Sequence, residues 1–315
     1  MVPAGGVVVA PAMTLLDLLS VLASTIRLAI PLILAALGGL FSERAGIAAL
    51  GLEGLMLAGA FAAAAVAAAT GSPWLALAAA MLAAIAVALV HGYAAISLGG
   101  DQVISGIALN ILVAGLTPVL ALAWFGEGEQ TPDLAPAARF MPVALPGGHN
   151  LLVYGTAALL PLLVWLLYAT RFGLRLRAAG ENPHAVDAAG LSVARLRYLA
   201  LAICGALSGI AGAYLSIAQG AGFTRDMVAG RGYLALAALI AGKWRPLPTC
   251  GACLLFALTD ALQARLQGVS LPLVGTAPVQ FIEALPYLLT VILLAGFVGT
   301  ARAPKALGRS FVKTR

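Results

Sequence analysis

Apolar runs long enough to cross a bilayer recur along almost the whole chain, and nothing else in the sequence restricts its fold so severely. A helix needs roughly 20 apolar residues to span the hydrocarbon core. Runs near 14–40, 47–69, 74–98, 103–125, 150–170, 198–219, 249–266 and 279–299 approach that length, and a shorter one covers 232–241. They are rich in Ala, Leu and Gly and lack period-two alternation, which points to helices rather than the strands of a membrane barrel. The chain is 62% hydrophobic and 10% charged, where soluble domains carry about 25% charged residues. A soluble fold cannot hide that much apolar surface. We therefore expect an all-α polytopic integral membrane protein: one transmembrane domain over 1–315 with about nine helices, within a range of about eight to ten.

The first residues, MVPAGGVVVAPA, carry no charge and so lack the positive start of a signal peptide. Met13 is an alternative initiator, which would make 1–12 an artefact of the assigned start. Pro31 lies inside the first run as a candidate kink. Polar turns separate the runs: FSERAG, TGSP, GGDQ, the Pro/Gly-rich 126–149, a Gly-rich loop with Arg225, Asp226 and Arg231, GKWRPLP, the uncharged 267–278 and a basic tail.

The longest polar interruption is RFGLRLRAAGENPHAVDAAGLSVARLR, 171–197. It sets five arginines against Glu181 and Asp187. Its middle reads as a short helix. Asn182 suits the N-cap, Pro183 the first helical position, and Gly190 a left-handed stop. About two turns, roughly 10 Å, neither cross a bilayer nor persist alone. This helix is expected to rest on another protein, and the small residues Ala185, Ala188 and Ala189 would let it sit deep in a groove.

Basic residues set the orientation. If 171–197 is cytoplasmic, alternation also places FSER, GGDQ, GKWRPLP and the C-terminal tail inside, and these segments hold 13 of the 18 Lys and Arg. So uneven a split follows the positive-inside rule. The net charge of +6 then serves topology. No aromatic–basic interleaving supports a nucleic-acid partner.

Few groups suggest chemistry. No G-x-x-x-x-G-K-[ST] occurs, so no ATP-binding P-loop is expected in this chain. His91, His149 and His184 are scattered, no metal site is expected, and the chain does not read as an enzyme. Cys204 and the Cys250–Cys253 pair fall among apolar residues and read as small buried side chains. Gly205, Gly209 and Gly212 form a helix-packing face. Polar groups at membrane depth are costly and face a bundle interior or a watery path. Glu53, flanked by Gly51 and Gly54, sits where glycines permit local unwinding. With Asn110 and Asp260 it marks the candidate substrate path. Arg27 and Arg265 read as pairing or snorkelling groups, and Glu283 is a further polar group at depth. A weak likeness between 43–59 and 230–242, each with a charged-Gly entry, is of the kind that Ala/Leu bias produces.

Four blocks carry a resemblance: FSERAGIAALGLEGLMLAGAF (41–61), DQVISGIALN (101–110), GENPHAVDAAGLSVARLRYLA (180–200) and FTRDMVAGRGYLALAALIAGKW (223–244). In this order they resemble ABC-importer permeases of the branched-chain amino acid/ribose-type superfamily. The nearest members are the nucleoside and simple-sugar permeases paired with Bmp-type lipoproteins. The resemblance implies a bacterial inner-membrane (plasma-membrane) subunit beside a second homologous permease, surrounded by lipid. ATPase subunits, holding the ATP and Mg, would dock from the cytoplasm, and a binding lipoprotein would deliver substrate from outside. The family's coupling segment corresponds to Gly180, Glu181, Asn182, Pro183, Ala185, Ala188 and Gly190. One departure is Ala49, where the family commonly has Asn. A nucleoside or related ribosyl compound is the expected substrate, with a simple sugar as the alternative. An ion-coupled secondary transporter, with Glu53 or Asp260 titrating during its cycle, is the rival from another class.

Overall fold

The computed structural model describes residues 15–145, 147–266, 270–271, 275–276, 284, 288, 291–292 and 302–311. The expected run over 279–299, Glu283 and residues 1–12 lie outside the described residues or nearly so. Among the described residues, ten α-helices follow in order: α1 (Leu15–Arg44), α2 (Leu52–Thr70), α3 (Pro73–Gly92), α4 (Gln102–Phe125), α5 (Leu151–Tyr168), α6 (Arg171–Glu181), α7 (Pro183–Ala188), α8 (Val193–Ala213), α9 (Arg231–Ala241) and α10 (Pro246–Leu266). Tyr93–Ser97 continues α3, and Tyr214–Gln219 continues α8, as wider π turns. A two-residue antiparallel ladder joins Ser270–Leu271 to Gly275–Thr276. Among the described residues, seven helices are long and apolar enough to cross a membrane.

Local chemistry sets the helix starts. Ser72 caps α3 and is followed by Pro73, Asp101 caps α4 through the amides of Val103 and Ile104, and Asn150 caps α5. Three readings of the sequence need correction. FSER is not a turn but the last turn of α1, which at 30 residues is about 45 Å long. The second span begins five residues later than expected, at Leu52, because Ala45–Gly51 is non-helical. The 171–197 loop holds two helices instead of one, since Thr170 accepts from the Gly173 amide and starts α6 ahead of α7. The short run became α9, whose 11 residues reach about 16 Å and stop short of a crossing.

Backbone-to-backbone packing organises the bundle around α8, which lies against α1, α2 and α3. The inner face of α3 is Ala76, Ala80, Ala84 and Ala88, one per turn and all buried. Gly205 and Gly209 of α8 meet it so closely that a Cβ on Gly209 would lie 2.5 Å from the Ala80 carbonyl oxygen. Gly212 meets α2 more closely still, with a Cβ position 2.0 Å from the Met56 oxygen. Small residues permit this approach, and dispersion over the long contact stabilises it where lipid supplies no hydrophobic drive. Cys204, Cys250 and Cys253 are free and buried within the bundle.

The two ends of the bundle differ. At one end Arg44, Trp244, Gln102, Gly180 and the 302–311 tail meet. At the other, 127–150 folds over the chain that follows α8. Thr131 and Leu134 donate to the carbonyls of Phe223 and Ala221, and Phe140 donates to that of Ile217.

Gly212→Val should collapse the yield of monodisperse protein in size-exclusion chromatography, since overpacking costs about 1–3 kcal/mol or more. Gly115→Ala, where an added Cβ meets nothing within 4 Å, should leave it unchanged. Equal yields would show that α2 and α8 have room to separate.

Candidate functional site

A buried stretch of non-helical backbone must find partners for every amide and carbonyl, because no water is there to serve them. Ala45–Gly51 finds side-chain partners on the end of α1 and on the distant helices α4 and α8. Arg197 Nε donates to the Ala45 carbonyl at 3.2 Å, and the Ser42 hydroxyl donates to that of Ile47 at 2.8 Å. Gln102 Oε1 accepts from the Ala48 amide at 2.8 Å, and Glu43 Oε1 accepts from that of Ala49 at 3.2 Å. Asn110 closes the stretch: its Nδ2 donates to the Leu50 carbonyl and its Oδ1 accepts from the Gly54 amide, both at 2.8 Å. Asn110 lies eight residues into α4, about 12 Å along its axis, so α2 begins inside the membrane rather than at its edge.

Glu53 stands in the first turn of α2, and its carboxylate caps a second helix. Oε1 accepts from the Gly230 amide at 2.8 Å and Oε2 from the Gly232 amide at 2.7 Å, at the N-terminus of α9. A negative charge there is favoured by both helix dipoles. Two glycines make the contact. Gly230 has φ +81, the left-handed region, and a Cβ on Gly232 would lie 2.5 Å from the Glu53 nitrogen. The two weakly similar entries, 43–59 and 230–242, therefore touch. The Tyr233 hydroxyl accepts from Asn110 Nδ2 at 3.0 Å and joins the same junction.

A cavity of about 250 Å³ opens on this junction, lined by Glu53, Gly54, Asn110, Asp226, Ala229 and Gly230 among others. The sequence-derived trio Glu53, Gly54 and Asn110 is thus brought together. Gly51 is not in that lining; it faces Gly106 of α4, with a Cβ position 3.8 Å from its carbonyl oxygen. Asp260 lies on α10 and is not in that lining. Asp226 was not among the expected path residues. It takes φ +56 and pairs loosely with Arg225 at 3.6 Å.

The C-terminal end of α9 is tied to α1. Trp244 donates its indole N–H to Glu43 Oε2 at 2.5 Å, while Arg44 donates to the Trp244 carbonyl at 2.6 and 2.9 Å. Lys243 and Trp244 both take positive φ, a conformation of low intrinsic population for such residues that these bonds hold. Sequence reasoning missed Glu43, Gln102, Trp244 and Arg197 and assigned them to turns and loops. The available signal was their place at the mouths of apolar runs.

The 171–197 segment packs on the same end. Asn182 caps α7 by accepting from the Ala185 amide at 3.1 Å, Pro183 follows, and Gly190 turns the chain at φ +77. Ala185, Ala188, Gly190 and Glu181 are exposed. Gly180 instead faces inward, so close to α1 that a Cβ would lie 2.1 Å from the Arg44 carbonyl oxygen. Beneath α6 and α7 lies a small separate core of Ala179, Val186, Val193 and Leu196, with Phe311 against it. The tail closes it: Ala306 donates to the Gly180 carbonyl at 2.8 Å, Arg197 to the Arg309 carbonyl at 3.3 Å, and the Phe311 ring sits 5.2 Å from that of His184. Arg197, 1% exposed, thus joins the tail to the α1–α2 connection.

Truncating the chain before Ala306 should raise amide exchange in 174–190 by about tenfold or more while α2, α3 and α8 stay protected, because local stability follows local contacts. Unchanged exchange in 174–190 would show that the tail does not hold α6 and α7.

Residues 21–297 match the family model described as branched-chain amino acid transport system / permease component. The chain is 37% identical to the guanosine ABC transporter permease protein NupQ of Bacillus subtilis (strain 168), over 96% of this chain and 99% of that one. It is 33% identical to the nucleoside ABC transporter permease protein NupC of Lactococcus lactis subsp. cremoris, over 90% and 94%. Identity is 37% with the putative glucose ABC transporter permease protein TsgC13 of Haloferax volcanii, over 86% and 89%.

Proposed function

The chain belongs to the branched-chain amino acid transport permease family, and we propose that it is the membrane-spanning subunit of an ATP-driven importer for nucleosides. It is a multi-pass membrane protein of the ABC permease class, which works with ATPase and substrate-binding subunits. The observation that carries the substrate is the 37% identity to a guanosine permease along nearly the full length of both chains. The likeness to a putative glucose permease makes a simple sugar the second reading.

In this reading α6 and α7 are the cytoplasmic docking surface for the ATPase, which supplies ATP and Mg. The support is a row of exposed small residues over an independent core, at the end of the bundle where the basic segments gather. A second, homologous permease completes the transport path, and a binding lipoprotein delivers cargo at the opposite end. The cavity at Glu53 and Asn110 lies on that path. Its polar groups are already bonded within the chain, so cargo recognition there falls to the remaining acceptors of these groups and to Asp226. No translocation step requires chemistry from this chain. The subunit exchanges one packed arrangement for another as the ATPase closes.

The test is ATP-dependent uptake of labelled guanosine, adenosine, cytidine, ribose and glucose into vesicles containing the assembled importer. Nucleoside uptake competed by other nucleosides and not by glucose is expected. Glucose uptake alone would reverse the substrate assignment, and uptake driven by a proton gradient without ATP would replace the mechanism. Glu53→Gln should lower uptake tenfold or more at near-normal protein abundance, since one acceptor oxygen is replaced by an NH2 donor that faces a backbone N–H donor of Gly230 or Gly232. Normal uptake would give Glu53 a packing role only. Ala188→Glu should abolish co-purification of the ATPase and leave binding-protein docking intact. Retained ATPase would remove Ala188 and its helix from the docking surface.

A further inference from the structure

Among the described residues, four non-glycine residues take positive φ, and all four flank one helix, α9. Asp226 at +56 and Ala229 at +50 precede it, while Lys243 at +55 and Trp244 at +53 follow it. A side chain in this left-handed region crowds its own backbone. Residues held there gather in switch regions, where the surroundings must over-determine them. Backbone of this kind at one end of a helix closes a turn. At both ends of a helix of 11 residues it marks a rigid piece set between two joints.

Side chains of other helices hold both joints. Glu53 accepts from the Gly230 and Gly232 amides, Trp244 donates to Glu43, and Arg44 donates to the Trp244 carbonyl. Such bonds break and re-form singly. The packing of α8 on α2 and α3 is different in kind, because it cannot shift without separating the backbones that meet at Gly209 and Gly212. Between its ends α9 rests on α1 through side chains. A Cβ on Gly39 would lie 3.5 Å from Leu239 Cδ2, an ordinary van der Waals contact.

The places of the two joints give a movement of α9 its consequence. Asp226, Ala229 and Gly230 line the cavity at Glu53, so turning α9 reshapes that cavity. At the other end Trp244 is bonded to Arg44, whose carbonyl lies against Gly180 of α6. We propose that α9 moves as a rigid strut on hinges at 226–230 and 243–244, and so carries ATPase closure at α6 and α7 to the cavity at Glu53. Hinges are a few residues at element ends that absorb a change of φ and ψ. The inference rests on the proposed docking surface and path, and it holds for any cargo.

Glycine takes positive φ freely and a β-branched residue resists it, so the two bias the hinges in opposite directions. Hydrogen exchange is measured on the purified full-length subunit and on Ala229→Gly, Lys243→Gly, Ala229→Val and Lys243→Ala. Both Gly variants hold α9 in place, so the Gly230 and Gly232 amides should exchange about fivefold or more slowly, and Ala229→Val should speed them as much. The effect of Lys243→Gly reaches those amides from the far end because α9 moves as one piece. Lys243→Ala, which loses the charge and keeps the backbone cost, should match the wild type, and 235–241 should stay equally protected throughout. In vesicles with the assembled importer, both Gly variants should retain the ATPase and unfold no earlier than the wild type. Their ATP-dependent uptake of guanosine should nevertheless fall about fivefold or more, a loss that a merely structural role does not produce. Exchange at Gly230 and Gly232 that ignores Lys243→Gly, or that rises only together with exchange in 235–241, would overturn the rigid strut. Normal uptake by both Gly variants would overturn its part in transport. A wild type without ATP-driven uptake would instead refute the proposed function, and exchange in the isolated subunit would still decide the strut.

Discussion

Everything in this bundle answers to one demand, that seven residues of non-helical backbone between α1 and α2 be satisfied away from water. An unpaired amide or carbonyl at such a place costs several kcal/mol. The partners come from α1 itself, α4 and α8: Ser42, Glu43, Gln102, Asn110 and Arg197. Each bond also fixes the position of the element that supplies it. The start of α4, the entry of α8 and the C-terminal tail are therefore held in register with the start of α2.

The same break puts α2's first turn inside the membrane, where Glu53 meets the N-terminus of α9. A short helix with one end at the junction and the other at Trp244 then runs from membrane depth to the end that holds α6 and α7. Contacts are continuous along that line. Gly180 abuts Arg44, Arg44 bonds Trp244, α9 runs from there to Gly230, and Gly230 bonds Glu53. This is a contiguous structural route between the proposed docking surface and the proposed path, and the ends of α9 are where backbone of low intrinsic population gathers.

Several particulars of this arrangement were legible in the sequence. Asn182, Pro183 and Gly190 announced α7 because capping is local chemistry. The glycines of α8 announced close packing because a missing side chain has few other uses there. Glu53 and Asn110 stood out as polar residues among apolar ones. Other particulars were not. The extra turn of α1 over FSER and the separate helix α6 were hidden because charged residues read as loop, although a helix carries them readily once its end leaves the lipid. Arg197 read as one more basic loop residue, while the fold buried it under the tail. Asp260 stood out by depth alone, and which cavity each such residue lines is a matter of packing: Glu53 and Asn110 share one that Asp260 does not line.

By itself the sequence determined the class of the protein: apolar runs of membrane-spanning length leave helices as the only structures that satisfy their own backbone in lipid. It also determined the ends of most helices, through caps and turns that act within a few residues. Only the tertiary structure decided which polar residues share a place. Glu53 and Gly230 are 177 residues apart, and Arg197 and Ala45 are 152 apart. No local preference links positions so distant. Their meeting follows from how α1, α2 and α8 pack through glycine and alanine, which sets the depth and rotation of each helix and so chooses the partners of every buried polar group.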